Sequence, residues 1–589
     1  MYTPRIFAIA LSLLATTPAV GLTPVAAVVN DNRSSAGVLR NGVLTLHLEM
    51  RQAFWFPDED GKTRLLVSAF AEEGRAPQIP GPLIRIPVGT EVAATIRNSL
   101  DHTVYVHGLS PRPSGNAKPA ASTDPTTTTD AAGMLEIASG SVREVRFRSS
   151  IAGSFYYWAS GNGQSLPMRT GPDSMLSGAF LVDSAGTPND DRVFVINTWV
   201  PLGGNAFNTL PTINGKSWPH TERLTLHVGE PVHWRWINTS DSDHAMHLHG
   251  FYFEVNGVGD QDNFLAYDPS EQQTVVTQEV LPGGTFTMEW VRERPGHWLM
   301  HCHMTFHMMQ PESLPGYFVS TAYSAHNAGM GGLVLGLDVL PSAKIEATQR
   351  SPRPPVHKFR LDVRERPASR LAFAGYSYVV SEPGHEPPAD TLPPIGDPLV
   401  LTRGEPAEIE IFNRLNEPTT VHWHGIELES AYDGVPDWSG SSTETTPPIA
   451  PGASFVARMT PPRAGTFINI TPVDSDLTYS LKDASGAALE WSVIAKDGRD
   501  LPPSQVVIKD ATGDSITVGE TRDYSFTPQK TGELYLEAAA FQRMWVKVTL
   551  VVTRSALQPT ATRRDEADGQ ITVYDRGLGL LPPKSRPRK

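Results

Sequence analysis

One cysteine in 589 residues leaves no partner for an intramolecular disulfide, so no disulfide framework holds this chain together. Long apolar runs are equally scarce. The first residues hold one: Arg5 precedes the run Ile6 to Leu14, and small residues follow at Val25-Ala26-Ala27. This reads as a secretion signal over residues 1–27, because the run is too short to span a bilayer and Pro18 and Pro24 break its continuation. An exported protein, periplasmic or extracellular and without a membrane span, is expected. Basic residues are outnumbered, 49 against 63 acidic ones, for a net charge of −14. That balance argues against nucleic acid as the partner.

Helical periodicity is the next thing missing. Short alternating runs take its place, as in VHWRWIN (Val232 to Asn238), where Val232, Trp234 and Trp236 share one face while His233 and Arg235 take the other. LTLHLEM (Leu44 to Met50) and EIEIFN (Glu408 to Asn413) behave alike. The 49 glycines and 51 prolines supply the turns that many short strands need. The expected fold class is all-β, built of tandem Greek-key β-sandwiches.

Repeats organise the chain. NSLDHTVYVHGL (Asn98 to Leu109) echoes NRLNEPTTVHWHGI (Asn413 to Ile426), and FTMEWVRERPGHWLMHCH (Phe286 to His303) echoes RDYSFTPQKTGELYLEAA (Arg522 to Ala539). In the second pairing Cys302 falls opposite Ala538, His301 opposite Glu537 and His244 opposite Leu477, so the later copy is metal-free. The expected units are 28–186, 187–342, a linker at 343–355, a region 356–554 and a tail 555–589. KPAASTDPTTTTDAAG (Lys118 to Gly133) reads as a surface insert in the first unit.

The lone thiol sits in LMHCHMTFHMM, Leu299 to Met309, and seven of the chain's 18 histidines lie between His244 and His307. On a strand, residues two apart share a face, so His247 and His249 converge, as do His301 and His303, while Cys302 points the other way. Cys302 with His244 and His307 makes the His₂Cys set of a blue-copper electron-transfer site. The four other imidazoles can serve a second metal group on the opposite face. A redox-inert ion such as zinc has no use for that back-to-back arrangement, so copper is the expected metal. Met300, Met304, Met308 and Met309 either handle soft Cu(I) or simply pack, the second being favoured.

HxxHxHG followed by HCHxxxH, together with VHWHG at Val421 to Gly425, resembles the signatures of multicopper oxidases, laccase-like enzymes built of cupredoxin domains. The resemblance implies a type 1 copper on His244, Cys302 and His307, with Met330 of Gly329-Met330 as the axial ligand. It implies a trinuclear cluster with His247 and His422 on the type 2 copper and His249, His301, His303 and His424 on the type 3 pair. Asp433 matches the acidic residue that assists proton delivery. Electrons then pass from a small-molecule or metal-ion reductant to O₂, which is reduced to water; the reductant and the oligomeric state are not readable from sequence.

The pattern breaks at one place. Such a cluster takes eight histidines, and the last HxH pair is missing. In the first unit Trp158 and Ser160 stand at those positions and Tyr105-Val106-His107-Gly108 replaces HWHG, so that unit is expected to be copper-free, with His107 a relic. In the later unit Ile470 and Pro472 stand there, which suggests an internal deletion after Phe467 that fuses parts of two units into one hybrid sandwich over 356–554. The alternative function is then a copper-binding electron carrier whose type 2 and type 3 group is incomplete.

Overall fold

Strands form where the alternation places them, and the two faces of each strand separate core from surface. In the computed structural model the strand Glu91–Asn98 buries Val92, Ala94 and Ile96 and turns the intervening side chains outward. Ala407–Asn413 does the same with Ala407, Ile409 and Ile411. The structure describes residues 23–58, 64–112, 133–186, 190–203, 209–308, 330–342, 355–367, 375–385, 396–469, 477–509, 513–540, 543–554 and 569–574. Residues 1–22, most of the linker, most of the tail and nearly all of the Lys118 to Gly133 insert lie outside these.

Two sheets, of eight and five strands, make the first unit and enclose Phe70, Phe155, Tyr157 and Phe180. The short strands Val25–Ala26 and Val28–Val29 join it on either side of residue 27. Sheets of seven and five strands make the second unit. Its core holds Trp234, Trp236, Trp290 and Trp298, with Cys302 in the same apolar cluster. Full burial of each such aromatic stabilises the fold by about 1.5–3 kcal/mol. The alternation of Pro231–Asn238 holds for Val232, Trp234 and Trp236, but Arg235 is buried too. Its guanidinium bonds Asp183 at 2.9 Å and Asp191 at 2.5 Å, while Arg85 of the first unit bonds the same two carboxylates at 2.6 and 2.5 Å. This four-charge knot joins the units, which is why a charged side chain sits on an inward face.

After the linker a four-stranded sheet built on Ala407–Asn413 encloses Leu361, Ile409, Ile411, Trp423 and Met459. Where one hybrid sandwich is expected over 356–554, the buried side chains fall instead into two clusters. The second forms around Leu481, Trp491, Leu534 and Val552, between sheets of five and four strands. Two hydrophobic centres form because each segment brings strands enough to cover its own apolar face.

The register of this last unit matches the repeat read from sequence. In the second unit Met246 pairs with Cys302, His247 with His301 and Leu248 with Met300. In the last unit Tyr479 pairs with Ala538, Ser480 with Glu537 and Leu481 with Leu536. Glu537, at the position of His301, bonds Lys482 and Lys547. A lysine pair is its counterion.

Candidate metal centre

His244 opens the strand His244–Leu248, Cys302 closes Gly296–Cys302, and the two strands pair, so their ends lie side by side. The chain then turns through the short helix Thr305–His307, which carries His307 back over the thiol. His244 Nδ1 lies 3.0 Å from His307 Nδ1, and Cys302 Sγ lies 3.7 and 3.5 Å from them. All three are buried. The hydroxyl of Ser240, which donates to Asn238 Oδ1 at 2.7 Å, accepts from His244 Nε2 at 2.7 Å, so the Nδ1 lone pair faces the thiol. Burial lowers the proton affinity of both rings, that of His307 to a pKa of about 3. Two neutral imidazoles and one sulfur thus converge on a common point.

Met330 rejoins the described chain beside this triangle. Leu333 N donates to the His307 carbonyl and Cys302 N to the Leu333 carbonyl, both at 3.0 Å. Met308 and Met330 pack against Trp218, Leu299, Val334 and Val435. Met300 and Met304 are buried in the core with Cys302, so packing is their role; Met309 lies outside the described residues.

On the other face of the same strands the remaining imidazoles meet in three pairs. His247 Nε2 lies 3.4 Å from His422 Nε2, His249 Nε2 lies 2.8 Å from His301 Nε2, and the rings of His303 and His424 have centroids 4.9 Å apart. Hydrogen bonds on the far nitrogens fix the tautomers. His247 Nδ1 donates to Val276 O, His301 Nδ1 to Cys302 O and His422 Nδ1 to Asp433 O, at 2.8, 2.7 and 2.7 Å. His249 Nδ1 donates to the Asp433 carboxylate at 2.8 Å. A carbonyl or carboxylate can only accept, so all four Nε2 atoms carry lone pairs. Lone pairs 2.8 and 3.4 Å apart repel unless a cation lies between them. Protons do not serve, because burial, together with the neighbouring imidazoles, pushes the pKa of His247 and His301 well down. This donor set fits a soft-to-borderline metal ion that takes imidazole nitrogen.

The third unit supplies His422, His424 and Asp433. In His422-Trp423-His424 the indole enters its own unit's core and the alternating histidines face the second unit. Gly434, at φ +86°, lets the chain after Asp433 lie against Val421 and His422, where any Cβ would fall 2.0 Å from the Val421 carbonyl. Asp433 is buried and also accepts from Ser439 at 3.2 Å. Burial favours its protonated form, yet the attraction and hydrogen bonds of His249 and His422 outweigh it and hold the carboxyl well below the usual range.

The missing histidine pair has two structural counterparts. In the first unit Trp158 lies opposite His107, stacked at a centroid distance of 4.0 Å, with the Arg169 guanidinium 5.4 Å from the indole ring. A ring stack and a cation occupy the place of a ligand pair. Replacing His107 by Phe is therefore expected to leave the copper content of the chain unchanged, as elemental analysis would show. In the third unit Trp423–His424 pairs with Ile468–Asn469, and Ile468 lies opposite His424. Trp158 is five residues after Gly153 and Ile468 only three after Gly465, so the later strand is displaced by two places. Ile470 and Pro472 lie outside the described residues. Among the described residues no other histidine joins the three pairs.

Sequence reasoning missed Ser240, which bonds His244, and Thr277, whose hydroxyl faces His247 and His424.

Two regions of the chain match models of the multicopper oxidase family, residues 193–313 and residues 394–470. These two regions are multicopper oxidase domains by that match. The first matched region carries His244, His247, His249, His301, Cys302, His303 and His307, and the second carries His422, His424 and Asp433. It is 31% identical to ceruloplasmin of Homo sapiens over 105 residues, 17% of this chain and 8% of ceruloplasmin. It is 39% identical to laccase-3 of Arabidopsis thaliana over 74 residues, 11% of this chain and 12% of that one. With laccase-12 of Oryza sativa subsp. japonica it shares 34% over 146 residues, 23% and 25% of the two chains. The chain thus spans a quarter or less of the length of these relatives. Similar solved structures include a blue copper oxidase from Nitrosomonas europaea, at 19% identity and a TM-score of 0.37 over 50% of this chain and 85% of that one. Another is a multicopper oxidase from Campylobacter jejuni described as a metallo-oxidase, at 13% and 0.37 over 75% and 90%.

Proposed function

We propose that this chain is a copper-dependent oxidase that moves electrons from a small-molecule or metal-ion reductant through His244, Cys302 and His307 to the six-histidine group, where O₂ is reduced to water. One observation carries the reading: a His₂Cys triangle and a set of facing imidazole lone pairs lie back to back on one strand, joined by adjacent residues. Copper at these places supplies one-electron transfer at the thiolate and a site for O₂ between the imidazoles. The triangle corresponds to a type 1 site, with Met330 as axial candidate because its segment returns to bond both Cys302 and His307. His247 and His422 correspond to a type 2 pair, and His249 with His301 and His303 with His424 to the type 3 pairs.

The chain's own residues do the rest. Cys302 links the two groups, since its carbonyl accepts from His301 Nδ1 while its sulfur faces the triangle. The Asp433 carboxylate, which stays ionised, holds the Nδ1 proton of His249 and the Asp433 carbonyl that of His422, which fixes both rings and keeps a negative charge beside the group. In the described helices no segment is long and apolar enough to cross a membrane. The leader-like residues 1–27 support an exported protein.

A second reading keeps the triangle and drops O₂ chemistry: an electron-transfer cupredoxin. The displaced strand at Ile468 and the absence of a further imidazole among the described residues favour it. Copper per reconstituted chain, measured with an electron paramagnetic resonance spectrum on the same sample, separates the two. About four coppers with both type 1 and type 2 signals is the result expected of the oxidase. One copper with a type 1 signal alone overturns it in favour of the carrier.

A further inference from the structure

Among the described residues the last unit adds no member to the candidate metal groups, yet it meets the six-histidine group at one side chain. Thr277 lies on the strand Thr277–Val280, directly opposite His247, and is fully buried. Its hydroxyl donates to the carbonyl of Gly519 at 3.0 Å. With its proton so committed, Oγ1 can only accept, and the groups facing it are His424 Nε2 at 3.4 Å and His247 Nδ1 at 3.3 Å. His247 Nδ1 already donates to Val276 O at 2.8 Å, so the exchangeable choice concerns His424.

The same strand is clamped by a buried carboxylate of the last unit. Asp497 Oδ2 accepts from the backbone N–H groups of Val276 and Thr277, each at 3.1 Å, and Oδ1 accepts from Thr521 N at 2.9 Å. Tyr252 OH donates to the Asp497 carbonyl at 2.6 Å. Asp497 itself sits at φ +51°, a conformation that asparagine, aspartate and glycine tolerate best. Gly519 then lies against the ring of His303: a Cβ there would come within 2.6 Å of it. His303 Nε2 is buried without a hydrogen-bond partner among the described residues.

We propose that Thr277 is a positioning residue for the metal group, set by the docked C-terminal unit. Gly519 O takes the hydroxyl proton, Oγ1 becomes an acceptor for His424 Nε2–H, and the Nδ1 lone pair of His424 is left for the metal. An outer hydrogen bond of this kind fixes tautomer and ring orientation. The unit that lost every ligand thereby keeps a role: it decides which nitrogen His424 presents. This inference rests on the copper reading above for its consequence, though the tautomer itself does not require a metal.

The test compares the full-length chain with Thr277→Val, which keeps the shape and removes the hydroxyl, and Thr277→Ser, which restores it. After copper loading, Thr277→Val is expected to bind copper at the six-histidine group about 10- to 100-fold more weakly, with the blue absorption of the thiolate site unchanged in all three proteins. Thr277→Ser is expected to recover wild-type copper content. Copper content and spectrum in Thr277→Val equal to wild type, or equal losses in Val and Ser, overturn the proposal. The wild-type stoichiometry separately tests the oxidase reading. If it shows a single copper, imidazole ¹⁵N spectra of the metal-free proteins still decide: Nε2–H on His424 in wild type and Ser with a mixture in Val supports the role, and one tautomer throughout overturns it.

Discussion

Replacing Cys302 by serine is expected to abolish the blue absorption and to lower O₂ consumption by more than about 100-fold, since loss of an outer hydrogen bond alone costs 10- to 100-fold at a metal site. The reason is chemical. Sγ stands 3.5 and 3.7 Å from two buried imidazole nitrogens, and a soft thiolate is the ligand that selects copper there and couples it electronically. A serine oxygen is hard and stays protonated at neutral pH. The fold should tolerate the change, because a buried hydroxyl with imidazole partners avoids most of the roughly 1–3 kcal/mol that an unpaired polar group costs. The six-histidine group should still take up copper, since none of its ring nitrogens bonds the sulfur; His301 uses the Cys302 carbonyl. Visible spectra, copper content and O₂ consumption on one preparation decide it. A persistent blue band would mean that the triangle is not the electron-transfer site.

The converse change removes the other half. In a His422→Ala, His424→Ala double variant, blue absorption should survive while O₂ consumption falls by a comparable factor, again more than about 100-fold. A reductant should then bleach the blue band and air should fail to restore it, because electrons enter and have no outlet. His247 loses its partner at 3.4 Å, and His303 loses the ring at 4.9 Å. Stability should respond as well. A metal bound between these histidines would tie the second unit to the third, and a ligand that binds only the folded state at 100 times its dissociation constant adds about 2.7 kcal/mol. Copper should therefore raise the melting temperature of the wild type more than that of the double variant. Prompt reoxidation of the variant by air would sink the assignment of these histidines to the O₂ site.

How much of this was legible beforehand follows from the range of the interactions. The histidine sets were readable because strand alternation is a local rule: His247 with His249, and His301 with His303, converge as spacing alone requires, and Cys302 faces away. Asp433 became visible only through a resemblance, since nothing local marks it. Ser240 lies four residues before His244 and lay within reach of inspection, but a serine in a turn signals nothing by itself. Thr277 and Asp497 were beyond reach, because the bonds that give them meaning join residues 220 and 242 apart in the chain. Arg235 illustrates the same limit in the fold. Alternation assigned it outward, and a partner unit's carboxylates made that face an interior one. The region 356–554 shows a different limit: repeats locate strands but do not say whether two sets of them share a core.

The shared register of Met246 with Cys302 and Tyr479 with Ala538 carries a lesson about descent. One pairing frame stands in two places, with candidate metal ligands on it in one and, among the described residues, none in the other. The frame is therefore held by side-chain packing without help from the candidate ligands, which are a removable cargo upon it. A lineage can discard that cargo at one site without rebuilding the sheet, and the emptied copy is free to be retained for contacts alone.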